Sequence, residues 1–175
     1  MAVSYAQFLK SGIDLSPLGA LPANRDDAYD CTPKGARIFA RAGVDGIHFC
    51  FVRGYGETVF AVSPMNGATD TVHPVAANFE DFLRLLLSCG DTAPLEQAWQ
   101  WNEAQFDAFL RDNPPTDEQY AALNRLRALP LEPMPAPWVA TFTISANSST
   151  AAMAKAAAMA VARCLSTRRS RSWAA

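Results

Sequence analysis

Apolar residues fall in short alternating or continuous runs between about residues 36 and 75, then recur at three- and four-residue spacing between 78 and 128. The first pattern predicts strands and the second helices. Residues 36–40 hold Ile38 and Phe39. Residues 47–53 put Ile47, Phe49 and Phe51 on one face and His48, Cys50 and Val52 on the other. Both faces are largely apolar, so this strand is central or covered by a helix. Val44-Asp45-Gly46 reads as the turn before it, and Gly54-Tyr55-Gly56 as a hairpin connection of about three residues after it. Residues 57–63 form the return strand and 64–70 a loop. Residues 71–75 give a last short strand, which Pro74 confines to an edge or to its end.

The helical stretch opens at Asn78, a good N-cap, with Glu80 and Asp81 in the first turn and Gly90 at the far end. Phe79, Phe82, Leu83, Leu86 and Leu87 make its apolar face. Thr92 and Pro94 open a second helix, running to Trp99 or Trp101. Asn102 with Gln105 and Thr116 with Gln119 read as capping boxes for helices over 103–112 and 117–128. Residues 3–10 suit a short helix, and 12–35, broken by Gly12, Pro17, Gly19, Pro22, Pro33 and Gly35, read as loop. Beyond 129, Pro130, Pro133, Pro135 and Pro137 predict an extended connector, 138–144 a strand, 151–164 an alanine-rich helix capped by Ser149 or Thr150, and 166–175 a disordered end.

The expected organisation is one domain over 1–129, followed by that connector and tail over 130–175. The chain's 175 residues leave little room for a second domain. The formal net charge of −2 is a sum of unlike parts. Residues 1–154 hold 10 basic and 17 acidic side chains, and 155–175 hold five basic ones and no acid. An acidic body argues against nucleic acid as its partner. The tail could attract anionic polymers or lipids only weakly, and reads first as a solubilising end. Its alanines and arginines also have the look of a chain read past an original end or in a shifted frame. No run is long and apolar enough for a membrane span, and the first ten residues lack the layout of a secretory signal. Cys31, Cys50, Cys89 and Cys164 show no CxxC spacing and read as buried free thiols, which suits a cytoplasmic protein.

The catalytic inventory is thin. No GxSxG, HExxH, Walker or GxGxxG pattern occurs. His48 and Cys50 alternate on one strand face, so they could share a metal or form a thiol–imidazole pair, with His73 as a further ligand. In so apolar a run a hydrogen-bonded structural His48 is the favoured reading, and no other zinc ligand stands at suitable spacing. Asp26, Asp27 and Asp30 read as a solvated acidic loop, and Glu80-Asp81 as capping. Trp99 and Trp101, two apart, cannot both face the core of one helix, so one is expected inside and the other partly exposed. No cofactor and no catalytic residue are assigned.

The run Gly43-Val44-Asp45-Gly46-Ile47-His48-Phe49-Cys50-Phe51-Val52, followed by Val59-Phe60-Ala61-Val62-Ser63-Pro64-Met65-Asn66 and by Asn78-Phe79-Glu80-Asp81-Phe82-Leu83, resembles the SUKH superfamily over about residues 30–112. That superfamily holds a yeast cell-wall synthesis regulator and many bacterial proteins thought to be immunity proteins. The resemblance implies an α+β fold. An antiparallel twisted sheet over about 36–75 would be packed by helices over about 78–90, 93–112 and 117–128. It also implies a non-enzymatic protein-binding module whose partner is a toxin domain. The contact surface expected from turn positions is Asp45, Arg53, Tyr55, Glu57, Asn66 and Asp70. A housekeeping binding domain, or a small ligand- or metal-binding protein or enzyme using His48, Cys50 and His73, are the alternatives.

Overall fold

The computed structural model describes residues 2–24, 27–66 and 70–146. Helix α1 (Tyr5–Ser11) starts at a capping box in which the Ser4 hydroxyl accepts from the Gln7 N–H and the Gln7 side chain accepts from the Ser4 N–H. The segment expected to be plain loop then forms a 3-10 turn (Ser16–Leu18) and a two-residue strand, β1 (Leu21–Pro22). So short a strand has no periodicity to read. It exists because Leu21 and Pro22 pair with Arg41 and Ala40.

Strands β2 (Arg37–Arg41), β3 (His48–Phe51), β4 (Val59–Val62) and β5 (Val72–Ala76) complete a five-stranded antiparallel sheet in chain order, as the α+β reading required. The link from β3 to β4 spans 52–58 rather than three residues. Two successive turns fill it, Tyr55 N–H to Val52 O and Thr58 N–H to Tyr55 O, with Gly54 and Gly56 supplying positive φ. Pro74 lies inside β5, which is an edge strand, the place where a missing N–H costs no ladder bond.

One face of the sheet carries Phe49, Phe51, Val59, Ala61, Val75 and Ala76 and meets helix α2 (Phe79–Cys89), which buries Phe79, Phe82, Leu83 and Leu86. Asn78 caps α2 by accepting from the Asp81 N–H at 2.8 Å. Tyr5, Phe8, Phe39, Phe51, Phe79 and Phe82 join there in a cluster of tilted and edge-on rings. The opposite face carries Cys50, Phe60, Val62 and Val72, with Cys31, Ala36, Ile38 and Val52 against it. Strand β3 is thus buried on both faces, as its sequence requires.

The stretch 93–112 is two helices, α3 (Ala93–Gln97) and α4 (Glu103–Asp112), separated by a 3-10 turn (Ala98–Gln100) and by extended Trp101. Trp99 and Trp101 are both half-buried. Asn102 and Thr116 cap α4 and α5 (Asp117–Leu126) with the expected boxes. The proline connector is pinned along α2, with Arg84 Nε donating to Glu132 O, Met134 N–H to Arg84 O, and Ser88 Oγ to Met134 O. The strand expected over 138–144 is instead helix α6 (Pro137–Ala146). Its β-branched residues favour a strand locally, yet packing against β5 and the 3-10 turn wins. Pro137 stands at the first helical position, the Thr141 hydroxyl donates to Pro137 O, and Trp138 Nε1 donates to Trp101 O. The alanine-rich helix, Cys164 and the basic tail lie outside the described residues. Among the described residues no helix is long and apolar enough to cross a membrane.

Candidate interaction surface

A meander sends alternate connections to opposite ends of its sheet, and this divides the six candidate contact residues. Arg53, Tyr55 and Glu57 belong to the β3–β4 link at one end. Asp45 of the β2–β3 loop, and Asn66 and Asp70 of the β4–β5 loop, belong to the other. Strands of four residues hold the ends about 13 Å apart or more, so the six do not form one patch.

The first end is partly structural. Both Glu57 carboxylate oxygens lie 3.2 Å from the Tyr5 N–H, and Glu80 accepts the Val3 N–H. Two carboxylates thereby hold the start of α1, where the helix dipole favours them. Tyr55 leans edge-on against Phe60. Arg53 is exposed.

The second end differs. Asp45 takes a left-handed backbone (φ 51°) that suits the tight β2–β3 turn, and its side chain is exposed. Asn66 is half-buried and Asp70 exposed. On the same end stand three large exposed side chains outside the expected six. Met65 is 77% exposed, Val44 60% and Tyr29 48%. The signal was present: Val44 and Met65 sit inside turns, where no strand face can take an apolar side chain in. Tyr29 comes from the 23–36 segment and stacks on His48, with its ring against Gly46. A small cavity of about 140 Å³ opens there, lined by Asp27, Tyr29, Arg41, Val44 and Gly46 among others.

The two histidines and Cys50 are not assembled into a site. His48 pairs with Val62 and His73 with Ala61, so the two imidazoles leave opposite faces of the sheet. His48 is fully buried, with Nδ1 2.9 Å from Gly46 O and Nε2 3.0 Å from Thr32 Oγ1. A carbonyl only accepts, so Nδ1 carries the proton and Nε2 takes the Thr32 hydroxyl hydrogen. Thr32 Oγ1 in turn accepts from the Tyr29 N–H at 2.8 Å. Burial lowers the His48 pKa, which keeps the ring neutral and the bonds intact. The chain of bonds fastens the 27–36 segment to the sheet. His73 donates from Nε2 to Asp70 O at 2.8 Å and stacks flat on Trp99, centroids 3.9 Å apart. Burial pushes the Cys50 thiol up to about 12, which leaves no thiolate at neutral pH. Among the described residues no three His, Cys, Asp or Glu side chains converge on a metal position.

One buried acid was also missed. Glu96 is only 6% exposed, and desolvation raises its pKa to about 7 against the weaker pull of the Thr92 hydroxyl; Asp91 and Asp45 add a smaller upward push. In sequence it passes for an ordinary acid in the first turn of α3. Comparison with protein-family models, with curated proteins and with solved structures finds no match to this chain.

Proposed function

We propose that the chain is a non-enzymatic protein-binding module of the SUKH kind, which docks a partner on the sheet end formed by the β2–β3 and β4–β5 loops. The observation that carries this is the grouping of exposed Val44, Met65 and Tyr29 with the acids Asp45 and Asp70 on that end. Exposed large apolar side chains rimmed by charge mark protein contacts on a folded domain. The acidic body favours a basic partner, since complementary charge steers encounter and selects among partners. A nuclease toxin has such a surface, because its site is built to hold phosphates, and an immunity role is the specific form of this proposal. The cytoplasm is the compartment this reading implies.

The test places a photo-crosslinking residue at Val44 or Met65 of the full chain in its native host, with Leu9 of α1 and Tyr120 of α5 as exposed controls outside the loops. One protein captured from Val44 and Met65, and absent from the controls, supports the docking end. Capture from the controls alone, or from no position, refutes it. The immunity form has its own check: co-expression with a toxin encoded beside this gene must restore growth, and Val44→Asp with Met65→Asp must abolish that protection.

A further inference from the structure

We infer that Glu96 is a proton-operated latch: its neutral carboxyl donates to Thr92 Oγ1, the Thr92 hydroxyl then donates to Gly19 O, and loss of the Glu96 proton loosens the segment before β1 from α3. The argument is a count of hydrogens. Thr92 Oγ1 lies 3.2 Å from Glu96 Oε1 and 3.1 Å from Gly19 O. A hydroxyl has one hydrogen, a carbonyl only accepts, and an ionised carboxylate only accepts. With Glu96 charged, one hydrogen must serve two acceptors. With Glu96 protonated, each bond has its own hydrogen and the chain runs Glu96 to Thr92 to Gly19.

The site is dry enough for this count to matter, with Thr92 1% and Glu96 6% exposed. A buried bond of this kind cannot be exchanged for water without opening the contact. The same junction is tied by the Thr92 N–H to Leu18 O at 3.0 Å. It is also tightly packed: a Cβ on Gly19, at φ +79°, would collide with Thr92 Oγ1. From Gly19 the chain passes directly into β1, where Leu21 lies close against Gly43 at the start of the β2–β3 loop. The latch therefore sits between α3 and the two-residue strand at the sheet edge.

The charged groups around Glu96 agree on the direction. Asp91 faces it from the α2–α3 junction and Asp45 from the β2–β3 loop, and both disfavour a second negative charge. Asp91 is itself occupied by the Ala93 N–H and by Gln119 Nε2 of α5. His73 of β5, stacked on Trp99 one turn further on, has its pKa lowered by burial and spends its Nε2 hydrogen on Asp70 O. Among the described residues no basic side chain pairs with Glu96. The titration is placed near neutrality by burial, where a modest change of pH moves the population. The latch stands whether or not the loop end binds a protein.

The test is amide hydrogen exchange of the full chain from pH 5.5 to 8.5, corrected for the intrinsic pH dependence of exchange, with the Thr92 and 18–21 amides as reporters. The wild type is expected to lose about tenfold protection there as the pH crosses 7, while amides inside β3 and β4 stay level. Glu96→Gln keeps a donor but cannot ionise, so its protection must stay high throughout. Thr92→Val must be weakly protected at both extremes. Carbon-13 titration of the Glu96 carboxyl in the wild type decides independently of any variant: a midpoint above 6 supports the latch, and one near 4.5 overturns it. The same pH-dependent loss in Glu96→Gln as in the wild type also overturns it.

Discussion

Removing the Phe79 ring tests whether the aromatic cluster between α1, the sheet and α2 carries the core. Phe79 is fully buried, and its ring meets Tyr5 at 5.0 Å, Phe8 at 5.3 Å, Phe39 at 5.6 Å and Phe51 and Phe82 at 6.0 Å. Phe→Ala in a packed core costs about 3–5 kcal/mol, combining lost transfer energy with the cavity left behind. Alanine's better helix propensity at this first-turn position returns only about 0.5 kcal/mol. Five favourable ring pairs place the expected loss in the upper part of the range, about 4 kcal/mol. Phe79→Leu keeps most of the volume and forfeits the ring geometry, so about 1–1.5 kcal/mol is expected. Urea unfolding followed by tryptophan fluorescence measures both. At a slope of about 2 kcal/mol/M the alanine variant unfolds about 2 M earlier than the parent. An alanine loss under about 1 kcal/mol, or equal losses for alanine and leucine, would refute the assignment of the core to this cluster.

Thr71 is buried, and among the described residues its hydroxyl has no hydrogen-bond partner; Thr71→Val should therefore raise unfolding stability by about 1 kcal/mol, and a loss of that size in the same urea titration contradicts the orphaned hydroxyl. Thr32→Val strands both the His48 Nε2 lone pair and the Tyr29 N–H, so it should cost about 1–3 kcal/mol, whereas Thr32→Ser keeps both bonds and should cost well under half of that. Glu96 binds its proton more tightly folded than unfolded, so its effect on stability is constant below pH 4.5, turns unfavourable as pH rises from 4.5 to about 7, and levels off above. A rise from 4.5 to about 7 corresponds to about 3 kcal/mol lost over that window, and Glu96→Gln should remove most of this slope in unfolding measured at pH 5 and pH 8.

Most of the fold is legible where one physical signal dominates. The alternating faces of 47–53, the capping residues Asn78, Asn102 and Thr116, and the glycine after α2 each state their structure locally. The misreadings share a cause. Residues 138–144 look like a strand because Val139, Thr141, Thr143 and Ile144 are β-branched, and the packing that makes them a helix is supplied by β5, more than 60 residues earlier. Strand β1 is likewise defined by its partner alone. The proline connector reads as free polyproline, yet three hydrogen bonds to Arg84 and Ser88 hold it on α2. Local propensity decides an element only where no tertiary contact outbids it.

The surface is less legible than the fold, because a turn position predicts exposure and turns serve two purposes. Glu57 and Asp45 both sit in hairpin connections, yet Glu57 is committed to the Tyr5 N–H at the start of α1 and Asp45 reaches solvent. No property of either residue separates them; the difference is that the start of α1 is tied to the end of the sheet that carries Glu57. Meander topology adds the second constraint. Once strand order is known, Arg53, Tyr55 and Glu57 cannot share a face with Asp45, Asn66 and Asp70. A partner covering one standard interface must choose an end. The end whose acid already holds a helix has less free charge to offer. The end with Val44, Met65 and Tyr29 offers apolar area together with the exposed carboxylates of Asp45 and Asp70, which makes it the one to perturb first.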